Sequence, residues 1–354
     1  MDLQKLLEHQ IDNSCSDLHL ITDEPPMFRL KNGELTPLDG AVALRREDIE
    51  EVALEIIGEA GLEKLRKYKE VDFAMEKKGL SRFRVTFYEE VRGPAIAFRA
   101  IPFEIPAPEE IGIPQEILER ALRSDGLILV TGPNGSGKST TLASIIEYIN
   151  EHRRCHIITI EDPIEFTFTR KKSVISQRAV GINAESFSKA IKHTVRQDVD
   201  VIVVGEMRDL ETIQTALTLA ETGHLVLATL HTDDAPRAVQ RIVDVFPEGA
   251  QSQIALQLSH SLTAIMSQRL LPNKDNTARV CVREIMLMNS GIAHAIREGK
   301  ISEIYSQIQI SGESGMRLFD DHLLELVKAD LISVPEALHS AHDPQQMREH
   351  LEDK

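Results

Sequence analysis

Residues 132–139 read Gly-Pro-Asn-Gly-Ser-Gly-Lys-Ser, which matches GxxxxGK[ST]. The apolar run GLILVT precedes them and the helical pattern STTLASIIEYIN follows. Strand, glycine loop, helix is the setting in which such a loop cradles a nucleotide. Glycines let the chain wrap so that backbone N–H groups point at phosphate oxygens, and the helix adds its positive end. Gly132, Asn134, Gly135, Ser136 and Gly137 are the expected loop contacts. At the helix start, Lys138 places a charge by the β- and γ-phosphates, Ser139 offers a hydroxyl to Mg²⁺, and Thr140 follows. ATP or ADP with Mg²⁺ is the expected ligand.

Phosphoryl transfer to water also needs carboxylates, to position the water and to hold the metal. Two groups stand at the C-terminal ends of expected strands, where open α/β sheets carry their ligands. TIEDPIEF supplies Glu161, Asp162 and Glu165, and its chemistry does not choose among the three as base. VIVVGEMRD supplies Glu206, after four apolar residues and a glycine. It reads as a Walker B strand with Glu for Asp, and Glu206 is expected to hold Mg²⁺ through water.

ETGHLVLATLHT puts His224 at the start of a strand and His231 at its end, on the phosphate side. His231 is expected to contact or sense the γ-phosphate; His224 is expected to read the interface or hold a loop at the other end. No second ligand at metal-binding spacing accompanies either. Arg82, Arg84, Arg92 and Arg99 lie on expected N-terminal strands, and Arg196 and Arg208 flank the Walker B strand. Guanidinium groups stabilise the charge that spreads over the γ-oxygens, often from a neighbouring subunit.

These residues need a scaffold of two domains. Residues 1–100 read as a small α+β domain, with a helix at 3–11, strands at 18–21 and 27–30, and an Asn32-Gly33 turn. A helix at 47–57 and strands at 82–88 and 95–101 complete it. Residues 101–114, with Pro102, Pro106, Pro108 and Pro114, read as a semi-rigid linker. From 115 to 290, apolar runs at 127–131, 157–160, 201–205 and 225–230 alternate with helical segments. That alternation implies a mainly parallel sheet covered by helices on both faces. Residues 291–354 read as helices at 291–298, 301–308, 316–329 and 334–341, with a polar tail expected to fray.

Composition narrows the setting. Hydrophobic residues make up 42% and charged residues 27%, the balance of a globular protein. No stretch approaches the ~20 apolar residues of a membrane span. The start, MDLQKLLEHQ, lacks the apolar core of a signal peptide. Three scattered cysteines form no disulfide framework or CxxC pair, so a cytoplasmic protein is expected. The net charge of −16 repels nucleic acid, which is not expected as a partner.

The motifs GPNGSGKSTTL, TIEDPIEF, VIVVGEMRDLETIQTAL, AETGHLVLATLHT and RIVDVFP, in that order, resemble the secretion ATPase superfamily of type IV pili and type II secretion. SDLHL, RFRV, AFRAIP and EGKISEIYSQIQ resemble its twitching-motility branch, the retraction ATPases. The resemblance implies a PAS-like N-terminal domain, a RecA-like P-loop ATPase domain, and ATP between the two, completed by the next subunit of a homohexamer. It implies work on an inner-membrane pilus platform protein, at the cytoplasmic face of the membrane. By position it makes Glu165 the base and Glu206 the Walker B acid, and it places His224 and His231 in the His box. It relates Arg84, Arg99, Arg196 and Arg208 to nucleotide or interface arginines. Two places depart from the pattern: Val199 stands where a proline is usual, and 291–298 reads GIAHAIRE for AIRNLIRE. Assembly ATPases of the same superfamily generally carry paired CxxC motifs, which this chain lacks. An accessory paralogue of the retraction ATPase, a RecA-like nucleic-acid motor and a non-hydrolysing scaffold are the remaining alternatives.

Overall fold

The computed structural model describes residues 2–101 and 104–352. The chain forms two compact units. One comprises Met1–Glu104 with Glu165–Thr167 and Asn276–Ala278; the other comprises Ile105–Ile164, Phe168–Asp275 and Arg279–Lys354.

The first unit begins with α1 (Leu3–Asp12), capped by Asp2, then β1 (Asp17–Ile21), β2 (Met27–Arg29) and β3 (Leu35–Pro37). Next come α2 (Arg46–Tyr68), β4 (Glu70–Lys77), β5 (Ser81–Glu90) and β6 (Gly93–Ile101). The strands form one antiparallel sheet in the order β3-β2-β1-β6-β5-β4. β5 alternates buried and half-buried residues, so Phe83, Val85 and Phe87 enter the core while Arg82, Arg84 and Thr86 face the other way. Helix α2 runs past the expected end at Ile57 and departs from helical geometry at Gly58. β4 escaped the sequence reading, because EVDFAMEK is half-exposed along its length.

The second unit opens with α3 (Gln115–Ala121), β7 (Gly126–Thr131), α4 (Lys138–His152), β8 (His156–Glu161) and β9 (Val174–Ala179). It continues with α5 (Phe187–Thr194), β10 (Val201–Val204), α6 (Leu210–Glu221) and β11 (Leu225–Leu230). Then come α7 (Ala235–Asp244), α8 (Glu248–Ser261), β12 (Leu262–Pro272) and β13 (Arg279–Leu287). Helices α9 (Ser290–Arg297), α10 (Ile301–Ile310), α11 (Phe319–Lys328), α12 (Val334–Ser340) and α13 (Pro344–Glu352) close the chain.

The sheet order is β13-β12-β7-β11-β10-β8-β9. All neighbours are parallel except the edge pair β12–β13. β7, β10 and β11 are buried throughout, which explains why they read as unbroken apolar runs. Each such Val, Leu or Ile contributes roughly 1.5–3 kcal/mol by leaving water. The larger sheet is thus the mainly parallel one that the apolar runs imply, and the smaller antiparallel sheet precedes it in the chain.

Two expectations change. Residues 105–114 belong to the second unit, where Ile113 is buried and the Gly112 carbonyl accepts from Arg283 Nη1 at 3.2 Å. Pro102 and Phe103 of the expected linker lie outside the described residues. The C-terminal segment expected to fray forms α13, because Met347 is buried against Phe319 and Leu323 of α11; Asp353 and Lys354 lie outside the described residues.

Candidate nucleotide site

The four strands β7, β11, β10 and β8 lie side by side and point the same way. Their C-terminal ends therefore present, in spatial order, the glycine loop, His231, Glu206 and the Glu161–Asp162 pair. Gly132 and Gly137 have φ of 143° and 88°, and Gly137 is the N-cap of α4. A side chain at Gly132 would meet the Gln268 carbonyl at 2.2 Å, so only glycine fits where the loop leaves β7. Asn134, Gly135 and Ser139 are exposed, Thr140 is half-buried and Ser136 is buried.

Lys138 Nζ donates to the carbonyls of Gly132 at 2.8 Å and Pro133 at 2.9 Å, and lies 3.4 Å from His231 Nδ1. The other ring nitrogen, Nε2, is 3.1 Å from Glu206 Oε1. Arg208 Nε lies 2.7 Å from the same oxygen. Burial alone would push the Glu206 carboxyl up, but the Arg208 hydrogen bond and His231 outweigh it and hold it below the usual carboxylate range. Arg208 is raised in turn, chiefly by its bond to Glu206. Glu206 thus stays ionised beside the loop, as a metal-holding or water-holding acid must.

Glu161 accepts from Thr159 Oγ1 at 2.6 Å and Gln177 Nε2 at 3.3 Å. These bonds tie it to the strand ends and leave less of it for a water. Glu165, in a segment grouped with the first unit, has Oε1 3.6 Å from Arg84 Nη1. Arg84 also pairs with Asp72 at 2.7 Å, and Arg99 Nε pairs with Asp17 at 2.8 Å.

The structure does not bring Arg196 or His224 to the loop of their own chain. Arg196 is exposed in the turn after α5, beside Gln197, whose carbonyl is 3.2 Å from Nδ1 of His156 at the opening of β8. His224 Nδ1 lies 3.3 Å from the Leu219 carbonyl at the end of α6, and the His224 carbonyl accepts from Gly126 N where β7 starts. Both stand toward the N-terminal ends of the parallel strands, opposite the glycine loop.

Sequence reasoning missed Gln268 and Thr141. Gln268, on β12, donates to the Ser136 carbonyl at 2.6 Å and accepts from Thr141 Oγ1 at 2.9 Å. The available signal was an amide between the apolar groups of LTAIMSQRLLP, where a buried polar group needs partners.

The loop, the ionised acid and the strand order define a P-loop ATPase of the secretion type. Residues 109–329 match the family described as type II/IV secretion system protein, and the chain belongs to that family. It is 41% identical to the type IV pilus retraction ATPase PilT of Pseudomonas aeruginosa, over 98% of this chain and 99% of that protein. It is 36% identical to the type IV pilus ATPase PilU of the same organism, covering 98% and 91%. Among solved structures, a crystal structure of the pilus retraction motor PilT with bound ADP superposes with a TM-score of 0.87. That pair is 42% identical, covering 99% of each chain. The ATPase DotB of Legionella pneumophila gives 0.82 at 26% identity, covering 95% and 94%.

Proposed function

We propose that this chain hydrolyses Mg-ATP and uses the energy to retract type IV pili. The observation that carries the reading is the contact chain Lys138–His231–Glu206 at adjacent strand tips beneath a GxxxxGKS loop. Full-length similarity to a retraction ATPase supports the direction of the motor.

The loop amides and the N-terminus of α4 would bind the phosphates, and Lys138 would exchange its loop carbonyls for phosphate oxygens. The donors fit Mg²⁺: Ser139 offers an exposed hydroxyl at the helix start, and Glu206 an ionised carboxylate. Bound there, the ion supplies neutralisation of the β- and γ-phosphate charge. Glu165 takes the proton of the attacking water as general base. His231 reads the γ-phosphate through its position between Lys138 and Glu206. Arg208 is exposed, with its guanidinium available to phosphate oxygens. Arg84, Arg99 and Arg196 act on nucleotide at the interface with a neighbouring copy, in a homohexameric ring.

The ring drives an inner-membrane pilus platform protein from the cytoplasmic face of the bacterial membrane. Among the described residues no helix is long and apolar enough to cross a membrane. The −16 charge supports a protein partner over nucleic acid. A second reading is an accessory retraction ATPase working beside a main one; the chain is also 36% identical to a second type IV pilus ATPase.

Deleting the gene in its host and counting surface pili tests the reading. Excess pili that do not retract support retraction, absent pili support assembly, and normal retraction supports the accessory role. In parallel, purified protein should hydrolyse ATP only with Mg²⁺ present, and Lys138→Ala should abolish turnover and weaken nucleotide binding. Parent protein without nucleotide-dependent turnover overturns the motor reading.

A further inference from the structure

The phosphate loop rests on a buried amide. Gln268 is 2% exposed and Thr141 1% exposed, and each finds its partner in the other. The Ser136 carbonyl can only accept, so the nitrogen of the Gln268 amide must face it and the oxygen must face the Thr141 hydroxyl. Both ends of the amide are fixed, and the side chain has one orientation.

The consequence lies one bond further along. The Ser136–Gly137 peptide is planar and trans, so its C=O and N–H point in opposite directions. Drawing the Ser136 carbonyl toward β12 turns the Gly137 N–H away from β12. Gly137 caps α4, and its amide is among the free donors at a helix N-terminus.

We propose that Gln268 is a positioning residue that sets the nucleotide affinity of the loop by aiming the Gly137 N–H at a phosphate oxygen. The proposal rests on reading the loop as a nucleotide site. It gives the β12 strand, which carries none of the sequence motifs, a part in phosphate binding through the Ser136–Gly137 peptide. It also accounts for a glutamine that is 2% exposed at the middle of this strand, where a buried amide needs partners.

Calorimetric titration of the full-length protein with Mg-ADP, together with steady-state ATP hydrolysis and melting temperature, tests it. Gln268→Met keeps the volume and removes both bonds. Its affinity should fall roughly ten- to hundredfold, the range one unpaired buried carbonyl allows. KM for ATP should rise by a similar factor and kcat should change less. Gln268→Glu keeps the shape and, when protonated, an O–H donor toward Ser136. It should bind nearly as the parent does at low pH and lose affinity as the carboxyl ionises, a step the parent lacks. Should Gln268→Met fail to fold, the pH step in Gln268→Glu decides. Parent-like affinity in both variants, with the parent binding, overturns the proposal, as does a lowered melting temperature with unchanged affinity. A parent that binds no Mg-ADP removes the nucleotide reading itself, and this inference with it.

Discussion

His231 stands between the two charges of the site, with Nε2 3.1 Å from Glu206 Oε1 and Nδ1 3.4 Å from Lys138 Nζ. The ring thus bridges the carboxylate and the ammonium, one nitrogen facing each. Any shift of the lysine toward phosphate is then felt by the acid through one imidazole.

Replacing His231 by alanine should therefore lower kcat by about 10–10² while leaving KM for ATP within a few-fold. Groups acting on charge in the transition state carry effects of this size or larger. Steady-state kinetics at saturating Mg-ATP checks this; an unchanged kcat would show the ring to be a spacer.

Glu165→Gln should hold ATP while turnover drops ~10²–10⁴-fold, the usual loss when a general base is removed. Single-turnover hydrolysis with bound ATP measures it directly. Hydrolysis at the parent rate would pass the role to Asp162 or Glu161, of which Asp162 is the less committed: Glu161 already accepts from Thr159 and Gln177.

At Gly132 an added methyl would meet the Gln268 carbonyl at 2.2 Å and the Ser136 hydroxyl at 2.7 Å, on a backbone with φ of 143°. Gly132→Ala should cost about 1–3 kcal/mol of stability from overpacking, seen as a lower melting temperature, and should abolish nucleotide binding. Parent-like ADP affinity would mean that the loop tolerates displacement from β12.

Glu284, on β13, is buried, accepts from the Ala235 amide at 2.7 Å, and is pushed up to about 7, first by desolvation and then by nearby Asp234. A carboxyl whose folded value exceeds its unfolded one contributes stability fully below the unfolded value. That stability is lost as pH rises through about 7, a change on the order of 3 kcal/mol. His322 acts in the opposite sense: burial lowers it to about 3, so its contribution grows as pH rises toward its unfolded value. The two overlap, so the difference between parent and Glu284→Gln is the useful quantity. Between pH 5 and 7.5 the parent should lose stability relative to the variant in chemical denaturation. A pH-independent difference would show that Glu284 does not titrate in that window.

The residues at the strand tips were legible in the sequence because each motif is local. A glycine loop needs only its own eight residues between strand and helix, and β7, β10 and β11 are buried on both faces, so they read as plain apolar runs. Half-exposed β4 and β9 carry no such signature and went unread. So did the antiparallel edge, where α8 runs directly into β12 without a turn signal.

The order of those strands across the sheet is a different kind of information. Chain order runs β7, β8, β10, β11, whereas spatial order runs β7, β11, β10, β8. That rearrangement puts His231 against Lys138 and Glu206 and sets Glu161 at the far end. Strand pairing is decided by long-range packing and backbone hydrogen bonds, to which no motif refers. The same holds for Gln268, whose partners Ser136 and Thr141 lie 132 and 127 residues away in sequence. The chain alone offered the side chains whose chemistry suits the task; the fold decided which of them touch.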